Sequence, residues 1–341
     1  MFPSAAPVVV SAPGKVMVSG EYVVLEGRPA VVAAASARVR VILSPRRSDR
    51  SPIHSAGSLE VATLPPEALL ARACAEQAFG ALPSMDLAID TRALRSGDRK
   101  FGLGSSAATA VGVAAAIAAS HGHDPSDSEV RARLLPLALA AHRTIAPEGS
   151  GADVVASVFG GFVRVCRPRR SSPAVSERDP TAVEVTPLDW PPSLLLALIW
   201  TGKPARTSEL VGRVRDFAAR DPGAYGRAMA RLAEAASALL MAIERGDVGA
   251  AIEAAAAHGE AMARLGEAAG LPIVTAELAR AADVARSVGG AAKPSGAGGG
   301  DVALAFLPGE AARTDLEAAC REAGLIPLPL GLGDDGPRLE Q

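Results

Sequence analysis

The stretch Arg99-Lys100-Phe101-Gly102-Leu103-Gly104-Ser105-Ser106-Ala107-Ala108 sets the reading of this chain. Its glycines and serines run directly into an alanine-rich segment, 107–120, whose composition predicts a helix. Glycine lets the backbone turn tightly and leaves amide N–H groups uncovered. A helix N-terminus adds partial positive charge, so the loop suits a phosphate chain. Ser105 and Ser106 can cap the helix or offer a hydroxyl to Mg²⁺. Lys100, just upstream, can reach the same phosphates. An ordinary capped helix after a glycine turn has the same local pattern, so the decision falls to the rest of the chain. Two familiar phosphate motifs do not apply. GxxxxGK[ST] is absent. A dinucleotide fingerprint is matched in part by Gly102, Gly104 and Ala107, with Asp124 20 residues beyond Gly104. The segment before it is a charged loop where that motif requires a strand.

Outward from this loop, the lysines stand out. Of 35 basic residues only Lys15, Lys100, Lys203 and Lys293 are lysine, and each lies beside glycines. Lysine is a compact point charge where arginine is a planar fork. In a chain that otherwise uses arginine, these positions read as phosphate or catalytic positions. Ser11-Ala12-Pro13-Gly14-Lys15 reads as a loop entering a strand at 16–19. Lys293-Pro294-Ser295-Gly296-Ala297-Gly298-Gly299-Gly300-Asp301 lies between a predicted helix and an apolar strand, where a functional loop is expected and a flexible linker is not. Ser150-Gly151-Ala152-Asp153 precedes a short apolar helix, and Asp153 reads either as a charge complementing the helix dipole or as a site residue. No HExxH and no GxSxG occur, so a hydrolytic zinc site and a nucleophile elbow are unsupported.

The 341 residues suggest two domains. With 49% hydrophobic and 21% charged residues, a sizeable core is expected. A net charge of −2 gives no basic field for a nucleic-acid backbone. No uninterrupted apolar run is long enough to span a membrane, and the first ten residues lack signal-peptide features, so a cytoplasmic location is expected. Cys74, Cys166 and Cys320 are too few and too scattered for a disulfide framework or a close-spaced zinc site. Periodicity predicts strands at 8–10, 16–19, 22–25, 30–35, 38–43, 85–90, 162–165, 194–200, 302–307 and 325–330. The stretch 38–43 alternates Arg and Val as a half-exposed strand. Helices are predicted at 65–79, 107–120, 128–143 with a kink or break at Pro136, 153–159, 207–219, 224–245, 247–269, 272–287 and 310–323. Residues 167–181, rich in Arg, Pro and Ser, read as a surface loop or junction. The strand-rich front and helix-rich back indicate an α+β protein in two lobes.

Pro13-Gly14-Lys15, Gly102-Leu103-Gly104-Ser105-Ser106-Ala107-Ala108 and Ser295-Gly296-Ala297-Gly298-Gly299-Gly300 together resemble the three signature motifs of the GHMP small-molecule kinases, in the same order and at fitting spacing. Within that superfamily the details are most similar to the phosphomevalonate kinases. The segment Gly14 to Gly27 resembles their opening segment, and Lys100-Phe101-Gly102-Leu103-Gly104-Ser105-Ser106 resembles their Lys-Thr-Gly-Leu-Gly-Ser-Ser, with Phe101 in place of Thr. Gly149 to Ser157 and Trp200 to Ser208 resemble two further segments, and Gly300-Asp301 fits as well. The resemblance implies a ribosomal-protein-S5-domain-2-like N-terminal lobe, taken as 1–190, and a ferredoxin-like C-terminal lobe, taken as 191–341.

It further implies ATP-dependent phosphorylation of 5-phosphomevalonate to 5-diphosphomevalonate, with Mg²⁺, by a monomer or homodimer without nucleic-acid or membrane partners. ATP would bind at Gly102, Leu103, Gly104, Ser105, Ser106 and Ala107, with Ser106 as metal ligand. Lys15 and Lys100 would neutralise phosphate charge, and Asp153 would orient Lys15 and the acceptor. Ser150, Lys203, Arg206, Ser295, Gly296, Ala297 and Gly298, with Lys15, would face the substrate. His142 stands where mevalonate kinases carry a metal-binding Glu, and Glu148 is the nearby carboxylate that could replace it. Mevalonate kinase, diphosphomevalonate decarboxylase and a catalytically silent nucleotide-binding protein are the competing readings on the same fold.

Overall fold

The computed structural model describes residues 6–45, 64–82, 85–167 and 183–340. The chain opens with a long antiparallel pair, β1 (Val8–Ser19) and β2 (Ala30–Pro45). The loop expected at 11–15 is instead part of β1, with a register shift between Pro13 and Gly14. A bulge is where a strand tolerates proline, and this one lets the Lys15 N–H leave the ladder for the Leu103 carbonyl, 2.8 Å away. The strand expected at 22–25 is a 3₁₀ turn, Val23–Glu26. Buried Val23 and Val24 close it against the core, and Tyr22 enters it at φ +62°.

Next come α1 (Pro66–Phe79), β3 (Met85–Asp90) and a small hairpin, β4 (Arg95–Ser96) with β5 (Arg99–Lys100). Then follow α2 (Ser105–Ser120), α3 (Ser128–Arg143), α4 (Ala152–Phe159), β6 (Phe162–Cys166) and β7 (Glu184–Pro187). β3 and β6 pair with opposite ends of one edge of β2, and β7 extends β6, all antiparallel. α2 lies on β1 and β2 and is covered by α1, α3 and α4. Ala107, Ala108, Ala110, Val111 and Ile117 are all fully buried. A helix enclosed on every side needs small apolar residues and shows no amphipathic stripe. α3 runs through Pro136 unbroken, started by the Asp127 carboxylate on the Glu129 N–H.

The second sheet is built by β8 (Leu195–Trp200), the helices α5 (Thr207–Arg220), α6 (Pro222–Arg245), α7 (Val248–Ala269) and α8 (Ala276–Ser287), then β9 (Ala291–Pro294), β10 (Val302–Leu307), α9 (Glu310–Glu322) and β11 (Ile326–Leu328). Its order is β11-β8-β10-β9, the antiparallel split βαββαβ arrangement of a ferredoxin-like unit. β9 falls where the sequence shows only a glycine-rich loop, so Lys293 sits in a strand. The stretch 167–181, apart from Arg167, lies outside the described residues. Among the described residues no helix is long and apolar enough to cross a membrane, and all three cysteines are free.

The last residues, assigned from the sequence to the C-terminal lobe, return to the first sheet. Leu332 bridges to Ala35, Asp335 to Gly160, and β12 (Arg338–Leu339) pairs with β1. Arg38 explains this. The expected Arg/Val alternation leaves Arg40 exposed, but Arg38 is buried. Its guanidinium donates to Ser11 Oγ (2.7 Å), Asp334 Oδ2 (2.7 Å), Asp335 O (2.9 Å) and Gly336 O (2.6 Å). A buried arginine has five N–H donors to satisfy, and the returning tail supplies most of the acceptors.

Candidate active site

The 102–107 loop sits at the N-terminus of α2. Gly102 (φ +81°) and Gly104 (φ +72°) both adopt the left-handed conformation that glycine permits. Gly104 is the helix N-cap and supplies no side-chain cap, so the first-turn N–H groups remain available to an anion. The serines expected as caps lie inside the first turn instead. The Lys15 side chain lies against Gly104: a Cβ there would be 2.8 Å from Lys15 Cγ. The loop is thus held by β1 on one side. On the other, the Asp301 side chain packs directly on Gly102, leaving no room for a Cβ. Asp301 accepts from the Ala205 N–H (3.0 Å), its own N–H donates to Lys203 O (2.7 Å), and its carbonyl accepts from the Thr201 N–H (2.9 Å). Burial pushes the Asp301 carboxyl above its ordinary range, against the Ala205 N–H and the Lys15 charge. Phe101 meets Trp200 edge-on at 5.1 Å, and Arg99 donates to Gly202 O at 3.2 Å. Segments 99–104, 201–205 and 301 therefore form one unit, although about 100 residues separate its parts.

Three helix ends meet beside it. Ser106 lies in the first turn of α2, His142 in the last turn of α3 and Asp153 in the first turn of α4. His142 Nε2 lies 3.2 Å from Ser106 Oγ and 3.3 Å from Asp153 Oδ2, and the ring is buried. Asp153 Oδ1 accepts from the Val154 N–H (3.0 Å), and Ser150 Oγ accepts from the Ala152 N–H (3.2 Å). α4 is tied to the β1 bulge by Ser157 Oγ, which donates to Pro13 O at 2.8 Å. The structure pairs Asp153 with His142, where the sequence reading has it orienting Lys15.

The acceptor-side candidates divide. Ser295 Oγ accepts from the Met17 N–H (2.9 Å) and Ala297 O from the Tyr22 hydroxyl (2.6 Å), which lays 295–298 along the end of β1. Lys100 is exposed on β5. Lys203 is exposed and bound to Glu277 (2.5 Å), whose carboxyl it holds down to about 2. Arg206 is 86% exposed and 3.6 Å from Glu209. Glu148 is exposed and paired with Arg215, which lowers its pKa. Lys293 corrects the lysine argument: it is 1% exposed and paired with buried Glu21, so it meets no phosphate. Asp301, Glu21 and the bridging position of His142 emerge from the structure. The sequence marks Asp301 only as part of the Gly300-Asp301 resemblance at the end of the third glycine cluster and gives it no role.

Models of the GHMP kinases N terminal domain and the GHMP kinases C terminal domain match residues 68–161 and 235–324. A phosphomevalonate kinase of Streptomyces sp. (strain CL190) is 32% identical, the alignment covering 94% of this chain and 95% of that protein. Among solved structures, the Lin0012 protein from Listeria innocua has a TM-score of 0.83 at 24% identity, covering 98% of this chain and 100% of that one. The Streptococcus pneumoniae phosphomevalonate kinase in complex with phosphomevalonate and AMPPNP has a TM-score of 0.76 at 21% identity, covering 95% and 99%. The matched segments take in more than half of the chain and include the 102–107 loop, Asp153 and the third glycine cluster, and the chain belongs to the GHMP kinase family.

Proposed function

We propose that this kinase transfers the γ-phosphoryl group of ATP to 5-phosphomevalonate, giving 5-diphosphomevalonate and ADP. The supporting observation is the lysine-backed phosphate loop, Lys15 lying on Gly104, in a chain similar over nearly its whole length to a phosphomevalonate kinase. An oxygen of the acceptor phosphate attacks the γ-phosphorus, and the bond from that phosphorus to the β-phosphate's bridging oxygen breaks, leaving its electron pair on ADP. The acceptor has a second pKa of about 6, so near pH 7 it is already mostly a dianion. Removing a proton is a small part of the barrier. Bringing two polyanions together is the larger part, and positioning with electrostatic stabilisation answers it.

Lys15 fits that task, fixed between β1 and the loop, with exposed Lys100 entering from the β4–β5 hairpin. The 102–107 amides cradle the ATP phosphates, and 295–298 lies on the acceptor side. Ser106 Oγ and the Asp153 carboxylate are hard oxygen donors joined through one histidine, a donor set suited to Mg²⁺ carried mainly by phosphate oxygens. When bound, the ion offsets charge between the β- and γ-phosphates. Asp153 and Ser106 hold their orientation through His142, and Lys203 and Arg206 are the outer cations for the acceptor's phosphate.

ADP release coupled to an indicator reaction tests the substrate. The acceptor phosphate brings two negative charges that mevalonate lacks, and cations left unpaired in a site built for them make discrimination large. Robust turnover is expected with 5-phosphomevalonate, with kcat/KM lower by about 10⁴ for mevalonate. Equal or better activity on mevalonate would reassign the substrate and leave the kinase site standing.

A further inference from the structure

Away from the phosphate loop, three ionisable side chains from three parts of the chain meet in the interior. Glu21 follows β1, His258 lies on α7 and Lys293 on β9, and each is at most 1% exposed. Lys293 Nζ donates to the Glu21 carboxylate and to Pro294 O (2.9 Å). Glu21 Oε1 also accepts from the Gly296 N–H (3.4 Å), and Glu21 Oε2 lies 3.5 Å from His258 Nδ1. Among the described residues, Glu21 Oε2 and both His258 ring nitrogens have no hydrogen-bond partner. Burial and the Lys293 charge keep the imidazole neutral.

A buried ion pair is a poor route to stability, because desolvation cancels most of its attraction and apolar replacements are often as stable. What it provides is direction. The Glu21 carboxylate is the point where the end of β1 meets the backbone of the 294–297 turn, and its neighbours on both sides repeat the connection through Met17 to Ser295 and Tyr22 to Ala297. Tyr22 is held at φ +62° while doing so, a conformation disfavoured for a bulky residue. A lysine ammonium can serve a carboxylate and the next residue's carbonyl at one point, where an arginine fork is wider. That accounts for a lysine here in a chain whose basic residues are mostly arginine.

We infer that Glu21, with Lys293 as its counterion, is a positioning residue that sets the Ser295–Gly298 turn against β1 and thereby shapes the acceptor side of the cleft. The inference rests on the assignment of 295–298 to the acceptor made above.

The test uses the full-length enzyme with Glu21→Gln, Lys293→Met and the double variant Glu21→Leu/Lys293→Met. Either single change strands a buried partner, so the double variant keeps the test open if the singles fail to fold. Four quantities are read: thermal midpoint, ATP dissociation constant, KM and kcat for 5-phosphomevalonate, and amide hydrogen exchange over 294–300. In the double variant the midpoint and ATP affinity are expected near wild type, ATP within about twofold. Acceptor KM rises at least about tenfold and exchange at 294–300 quickens about tenfold, since the Gly296 anchor is gone. Wild-type exchange and wild-type acceptor KM in a folded double variant would overturn the inference. So would ATP affinity falling in step with the acceptor. Fast exchange with unchanged acceptor KM would keep Glu21's hold on the turn and remove 295–298 from the acceptor side.

Discussion

Asp153 lies in the first turn of an eight-residue helix, where a carboxylate would favour the dipole in any protein. Its second oxygen separates the two readings, because it is taken by His142, which also reaches Ser106 on the helix that carries the phosphate loop. A helix-end charge needs no such connection. Asp153→Asn keeps the shape and removes one charge. The expected result is a kcat lower by about a hundredfold or more, with ATP affinity and thermal midpoint close to wild type. Steady-state kinetics with a nucleotide titration on the folded variant measure this, and a wild-type kcat would reduce Asp153 to a dipole partner. Sequence pointed to Asp153 through its glycine neighbours. It left His142 as a position without a contact, because the serine it touches is 36 residues away and only the fold brings them together. Lys293 reads as a phosphate position for the same reason: glycines lie close to it in sequence, while its partner in space is Glu21, 272 residues away.

The β1 strand shows how an element can be hidden by its own functional feature. Pro13-Gly14 reads as a loop because both residues are poor strand formers, yet the ladder continues past them with a shift of register. The shift brings Gly14 against the phosphate loop. A Cβ on Gly14 would lie 2.7 Å from Leu103 O and 2.6 Å from Leu94 Cδ2. The leucine side chain can yield. The carbonyl cannot, because it accepts the Lys15 N–H and belongs to the loop itself. Gly14→Ala is therefore expected to cost about 1–3 kcal/mol of stability by overpacking and to weaken ATP binding by displacing Leu103. Urea denaturation and a nucleotide titration of the same preparation read the two effects, and unchanged ATP affinity in the destabilised variant would uncouple strand from loop. The helices were legible where one face is apolar, as in α5, α6 and α9. The strand β9, four residues beside a glycine run, carries too little periodicity to be seen.

At the scale of the whole molecule, two lobes were visible in the change from strand-rich to helix-rich sequence, but the return of the tail was not. A pairing of two residues with β1 has no pattern of its own, and Arg38, which the tail satisfies, looks in sequence like any outward arginine of an alternating strand. The buried cluster that joins the lobes has a consequence for stability against pH. Burial and the Lys293 charge hold the His258 pKa well below 6.5 in the folded protein, whereas the unfolded chain restores an ordinary histidine near 6.5. Above that value neither state carries the proton and stability is complete. As pH falls below it, the unfolded chain takes up a proton that the native state refuses, so stability declines until the native pKa is reached. The slope is at most about 1.4 kcal/mol per pH unit for one proton. Glu21 acts in the opposite sense, because burial raises its pKa and the native state gains a proton sooner than the unfolded one. Glu21 remains in His258→Gln, as do the other histidines, so the comparison isolates His258. Urea unfolding between about pH 6.5 and about pH 5.5 is expected to show wild type losing stability more steeply than His258→Gln, by a difference approaching one proton. Parallel slopes would mean that His258 is protonated inside the folded protein, and the cluster would then hold a second cation beside Lys293.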